Sequence, residues 1–219
     1  MATKNAPISL VRNALLPHLA EVGSTKVVVS FRNRRGTDSF NDPSGAYDPV
    51  TGELKLVRSA TSDPGKAPRL HEGRIKTNSK GVGRIQCGFH PSVFSFGYHN
   101  NDRTNPCLKH DGPMPVERFK IQWLEWIFDK FISRSYNCHR AARGGESTVV
   151  GDWSHGCLVF ALHKEHWAFL LYMGYPMHGL PEGIMIQPPE GGRFHVLILD
   201  VTDVEVDWTG FRFETDEEW

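Results

Sequence analysis

The spacing of apolar positions divides the chain into segments of different period. Ile8, Val11, Leu15, Leu16, Leu19 and Val22 recur at three- and four-residue steps, which predicts an amphipathic helix over 8–22 with Ser9 as N-cap and Gly23 just past its end. Lys26 to Arg32 is a β-branched run with the character of a strand, and Asn33–Gly36 would be its turn. Alternation over Glu53–Val57, after turn signals at Asp42–Gly45 and Val50–Gly52, predicts a hairpin over 48–54, and the turn-rich stretch 62–68 leads on to 69–75. Gly81 to His99 alternates apolar and polar residues and predicts two short strands broken at Pro91. Val116, Phe119, Ile121, Trp123, Leu124, Ile127, Phe128 and Phe131 return to helical spacing, so 115–134 reads as a buried helix that delivers the chain to Asn137–His139. A further helix is predicted over 164–173, stopping before Gly174, then strands over 183–187 and 195–201 with a turn at 188–192 between them. The tail from Asp203 reads as an edge strand that frays into an acidic end.

Composition sharpens the fold class. Twenty-one glycines and fourteen prolines spread along 219 residues imply many turns between short elements, hence a β-rich α+β single domain spanning 1–219, with its first helix within 1–23 and its acidic tail at 203–219. Twenty-five basic residues balance twenty-five acidic ones, so no global field recruits nucleic acid or an anionic membrane surface. No stretch approaches the ~20 apolar residues of a membrane span. The segment Met1–Pro7 lacks the apolar core of a signal peptide, which predicts synthesis in the cytoplasm without one. Four cysteines do not make a disulfide scaffold in a chain of this size.

Candidate chemistry concentrates between Tyr136 and Phe160. Cys157 is a potential nucleophile, and a thiol of ordinary pKa about 8.5 needs a base or a positive field to react at neutral pH. His139 is the candidate base. Gly156, directly before Cys157, permits a sharp bend that can aim the N–H groups of Gly156 and Cys157 at a developing oxyanion. A rival constellation is the pair of Cys-x-x-His spacings, Cys87/His90 and Cys107/His110, which together supply four ligands suited to zinc. Otherwise His90, His99 and His110 are candidates to line a cleft.

His139, a gap of fourteen residues, then Ser154-His155-Gly156-Cys157 resembles the active-site signature of L,D-transpeptidases. The resemblance implies a twisted mixed sheet or sandwich carrying at least two packed helices. It also implies a cysteine that attacks the carbonyl at the L-centre of the diamino acid in a peptidoglycan stem, giving a thioester resolved by an amine or by water. The histidine would be oriented by a backbone carbonyl, by position that of Arg140. Trp153, Ser154, His155, Arg143 and His99 become the candidate substrate-binding residues, and neither metal nor cofactor is required. Asp63–Lys66 gains a possible substrate role from its place after an early strand, beside the plainer reading as a connector. The family carries Asn or Arg just after the cysteine, where this chain has Leu158, Val159 and Phe160, so a substrate-binding arginine would have to be Arg140 or Arg143. His139-Arg140-Ala141 followed by Trp153-Ser154-His155-Gly156-Cys157 is similar to phage-type or effector-type members, which act on the wall after release or delivery. With no signal peptide expected, hydrolysis of peptidoglycan stems is slightly favoured over cross-linking or D-amino-acid exchange. A non-catalytic wall-binding module, or a zinc-stabilised protein, is the reading from another class.

Overall fold

The structure is a computed structural model that describes residues 5–34, 39–63, 82–120, 125–133, 136–141, 146–147, 156–176 and 192–214. The expected strand at 183–187, the stretch 64–75 and most of the turn at 188–192 lie outside these residues.

Pro17 shapes the first element. Helix α1 (Pro7–Leu15) gives way to a 3-10 turn over Leu16–His18 and resumes as α2 (Leu19–Val22), because proline removes the N–H that an unbroken helix needs there. Its N-cap is Ala6 rather than Ser9, with Pro7 at the first helical position, where a missing N–H costs nothing.

A nine-stranded mixed sheet forms the body of the fold. Strand β1 (Val27–Arg32) pairs antiparallel with β2 (Ser44–Asp48), which turns back as the expected hairpin into β3 (Glu53–Val57). On its other side β1 lies parallel to β12 (Arg193–Asp200), and the order continues through β6 (Gly88–Tyr98), β7 (Pro106–His110), β10 (Cys138–Arg140), β11 (Leu158–Phe160) and β4 (Ala60–Thr61). The two end strands, β3 and β4, are separated in sequence only by Arg58 and Ser59, so the twisted sheet curls until it is nearly closed. The Asp42 N–H donating to Ala60 O at 2.9 Å helps draw the ends together.

Strand β1 is buried along its whole length because both of its faces are covered. Val27, Val29 and Phe31 pack beneath Val11, Leu15 and Val22 of the N-terminal helices and beneath Trp208, Phe211 and Phe213, while Val28 faces the central core. Each such side chain contributes about 1.5–3 kcal/mol. Over its described residues, 203–214, the tail is not an edge strand: it joins the fold through a bridge from Asn5 to Val206 and the Glu214 N–H donating to Leu56 O, and lays Trp208 edge-on to Phe31 at 5.3 Å. Helix α3 (His163–Met173) forms as expected and sends Phe169, Leu170 and Met173 into the central core. No described helix is long and apolar enough to cross a membrane.

The segment 115–134 is a correction. In place of a helix, β8 (Met114–Lys120) and β9 (Glu125–Ser133) form an antiparallel hairpin that extends β5 (Val82–Ile85) into a second, three-stranded sheet. Its β-branched and aromatic residues favour a pleated surface, and the long-range pairing with β5 overrides the helical spacing. Pro115 falls at a register shift between Met114 and Val116, a position in a ladder that tolerates proline. The expected break at Pro91 is a second correction. Strand β6 runs through Pro91 and absorbs it as a bulge opposite Phe194–Val196, with Ser92 at φ +50°, and the chain bends instead at Gln86–Cys87.

A buried ionic network ties the two sheets together. Arg32, fully buried on β1, donates to Ser62 Oγ (3.0 Å), Ser62 O (2.9 Å) and Ile85 O (2.7 Å) and pairs with Asp63 Oδ1 (3.1 Å). Arg84 on β5 bridges the same Asp63 oxygen and Glu117 Oε2, both at 2.9 Å. Asp63 is thus an internal ion-pair residue rather than a substrate group, while Lys66 lies outside the described residues.

Candidate active site

Cys157 and His139 lie on neighbouring strands, His139 within β10 and Cys157 immediately before β11. β10 and β11 run parallel with Cys138 opposite Leu158 and His139 opposite Val159, and the Leu158 N–H donates to Asn137 O at 3.1 Å. Parallel neighbours cannot be joined by a tight turn, so the long gap between His139 and Cys157 is the crossover that the pairing requires. Within it, Glu146 bridges to Leu162 and the Ser147 N–H donates to Ala161 O at 3.2 Å. Asn137 and Cys157 therefore stand side by side at the strand entrances, and the Asn137 N–H donates to Cys157 Sγ at 3.4 Å.

The elbow before Cys157 depends on glycine twice over. Gly156 has φ +119°, outside what other residues readily adopt, and a Cβ there would overlap Gly83 O on β5 and the Tyr136 ring. Gly83 is itself covered by the Tyr136 hydroxyl, so the second sheet backs the elbow.

His139 is oriented as the resemblance implied. Its Nδ1–H donates to Arg140 O at 2.7 Å, and its Nε2 has no hydrogen-bond partner among the described residues. This is the tautomer that leaves a lone pair on Nε2 for proton abstraction. The ring stacks on His99, which lies at the start of the β6–β7 connection, with centroids 3.9 Å apart and planes 23° apart. Behind it stands His166 of α3, whose ring interacts with the backbone of Cys138 and with the charges of His139 and Arg140.

Burial dominates the electrostatics. It raises the Cys157 thiol to about 11, against the hydrogen bond from Asn137. It lowers His139 to about 3, with His99 acting in the same direction and the Arg140 carbonyl opposing. His166 lies well below the usual imidazole range for the same reason. At rest the Cys157 thiol and the His139 imidazole are thus both neutral rather than a thiolate–imidazolium pair.

The other candidates divide. His99 is in the site. Arg140 lends its carbonyl to His139, while its guanidinium is buried and donates from Nη2 to Thr104 O at 3.3 Å. Arg143, Trp153, Ser154 and His155 lie outside the described residues. The rival zinc set does not converge: Cys107 is opposite Gly97 on β6, about five strand rises beyond His90 once the bulge at Pro91 is allowed for, a separation of roughly 17 Å. Among the described residues no three of His, Cys, Asp or Glu are grouped to hold a metal ion. Asn137 and His166 escaped the sequence reading. Only the place of Asn137, two residues before His139 and so on the same face of a strand, could have signalled it.

Comparison of the chain with family models, with curated proteins and with solved structures finds no match.

Proposed function

We propose that this protein is a cysteine-dependent acyl-transfer enzyme of L,D-transpeptidase type acting on bacterial peptidoglycan stems. The observation that carries the proposal is the His139 imidazole, held by its Nδ1–H on Arg140 O with no partner for Nε2 among the described residues, on the strand beside the one that Cys157 precedes. Cys157 Sγ attacks the carbonyl at the L-centre of the stem diamino acid while His139 Nε2 takes the thiol proton. The Gly156–Cys157 turn receives the oxyanion. The imidazolium then protonates the departing amine, leaving a thioester on Cys157. Water resolves it to a shortened stem or an opened cross-link, with His139 again taking a proton, and an incoming amine would give a 3→3 cross-link or an exchanged D-amino acid.

Hydrolysis is the favoured outcome, since water is present at ~55 M and a transferase must exclude it while binding an acceptor. The position after Cys157, where the family carries Asn or Arg, is here Leu158, inside the core. The site of action is the wall or periplasm, reached by release or delivery. The test is mass spectrometry of muropeptides after incubation with the protein and with Cys157→Ala. Shortened stems or opened bridges formed only by the native protein support the proposal, and dominant exchange products would reverse the choice between water and amine.

The burial of the thiol favours a second reading, a wall-binding module without turnover. Binding to peptidoglycan sacculi with no change in any muropeptide would establish it in place of the first.

A further inference from the structure

We infer that Asn137 is a positioning residue that fixes His99 as the neutral Nε2–H tautomer and thereby preserves the capacity of the stacked His139 to accept a proton. The inference rests on the assignment of Cys157 and His139 as nucleophile and base.

The argument runs from a donor that cannot change its role. The backbone N–H of His110 lies 3.1 Å from Asn137 Oδ1, and a backbone N–H only donates, so the amide oxygen faces His110. The amide NH₂ must then face the other way, where Nδ2 lies 3.3 Å from His99 Nδ1. An NH₂ group only donates, so His99 Nδ1 accepts and its proton sits on Nε2. A cationic His99 would turn an N–H towards an N–H and lose this bond. His99 is also half-buried, and burial lowers its proton affinity.

Neutrality matters because of the stack. With 3.9 Å between centroids, a cationic His99 would repel the imidazolium that forms when His139 takes the thiol proton, whereas a neutral ring presents a polarisable face to it. The same asparagine donates its backbone N–H to Cys157 Sγ, where it stabilises developing negative charge. One residue thus touches the nucleophile and holds the neighbour of the base. Among the described residues, Asp102 in the His99 loop acts on His99, the Arg140 carbonyl on β10 acts on His139, and His166 on α3 is coupled to His139 and to the Arg140 charge. Asp102 favours a charged His99, so Asn137 and burial are what oppose it.

The experiment compares the native protein, Asn137→Asp, and Asn137→Asp combined with His99→Phe. Aspartate is nearly isosteric, still accepts from His110 N–H, and offers His99 Nδ1–H a carboxylate. Imidazole ¹⁵N NMR of the native protein is expected to show His99 as the neutral Nε2–H tautomer at neutral pH. In Asn137→Asp the His99 midpoint should rise by about one pH unit or more. Below that midpoint the rate of Cys157 alkylation by iodoacetamide should fall about tenfold, since one pH unit of lost basicity is a factor of ten. The double variant, with an uncharged ring in the stack, should abolish that fall. A native Nδ1–H tautomer, an unmoved His99 midpoint, or a fall that persists in the double variant each overturns the inference. The native tautomer is read without any variant, so it decides the matter even if the substitution impairs folding. It is also read without turnover: unchanged muropeptides with the expected tautomer would sink the proposed function alone, whereas turnover with the wrong tautomer would sink this inference alone.

Discussion

Gly83 of the smaller sheet and Gly156 of the elbow approach so closely that a Cβ on Gly156 would collide with the Gly83 carbonyl oxygen. The two sheets therefore meet at the residue that aims Cys157, and the elbow keeps its shape only while β5 is seated against it.

Gly156→Ala should destabilise the protein more than Gly174→Ala. Gly174 ends α3 at φ +99° with open space around it, so alanine there meets only backbone strain of about 1–3 kcal/mol. Gly156→Ala adds a collision with backbone and with Tyr136. Chemical denaturation of both variants measures the difference, and equal losses would mean that β5 yields easily.

Cys157→Ala should abolish muropeptide turnover with a stability loss of about 1–2 kcal/mol, since the side chain is small and lies at the margin of the core. Cys138→Ser, which places a hydroxyl in a fully buried position, should cost stability yet retain turnover. Activity in Cys157→Ala would remove the cysteine mechanism.

Alkylation of Cys157 should climb steadily with pH towards a midpoint near 11 rather than reach a plateau at pH 6 to 7. A neutral-pH plateau would show a standing thiolate paired with imidazolium, contrary to the burial of both groups.

Acid should destabilise the fold. His139, lowered from 6.5 to about 3, and His166, also lowered by burial, supply stability that is fully present above pH 6.5 and lost as the pH falls towards their folded values. Asp42 acts in the opposite sense: burial and the neighbouring Asp63 raise it from 3.8 to about 6, so the fold gains as pH falls between those values. The histidines outweigh it, since His90, His99 and His195 are lowered as well, so the net effect of acidification is a loss of stability. Urea denaturation at pH 7, 6, 5 and 4 measures it, and rising stability on acidification would contradict the neutral state of these imidazoles.

Asp63→Ala should cost about 3–5 kcal/mol, because it leaves the Arg32 and Arg84 guanidiniums buried without their shared carboxylate. A double-mutant cycle with Arg84→Ala measures the coupling, and a negligible value would show that Glu117 alone satisfies Arg84.

What the sequence revealed follows the range of the interactions responsible. The helices over 8–22 and 164–173, the strand after Lys26 and the hairpin at 48–54 were legible because local periodicity, glycine and proline govern them. The candidate site stood out as a spacing, and the interval from His139 to Cys157 corresponds to the length of a parallel crossover. Residues 115–134 were misread because helical spacing in a short aromatic run also fits a hairpin, and only the partner strand β5, far away in sequence, decides between them. Arg32, Asp63 and Arg84 carry no mutual signal at all, since three separate segments meet to form their network. The stack of His99 on His139 was invisible for the same reason.

Strand β12 lies between β1 and β6, pairing with one in parallel and the other antiparallel, although among the described strands it comes last in the chain. As the polypeptide leaves the ribosome, β1 and β6 emerge first and must wait, each with an unsatisfied backbone edge, until residues 193–200 arrive to fill the space between them. The sheet that carries the cysteine and histidine strands can therefore become continuous only after residues 193–200 have emerged, and termination anywhere before Arg193 would leave two exposed edges open to aggregation.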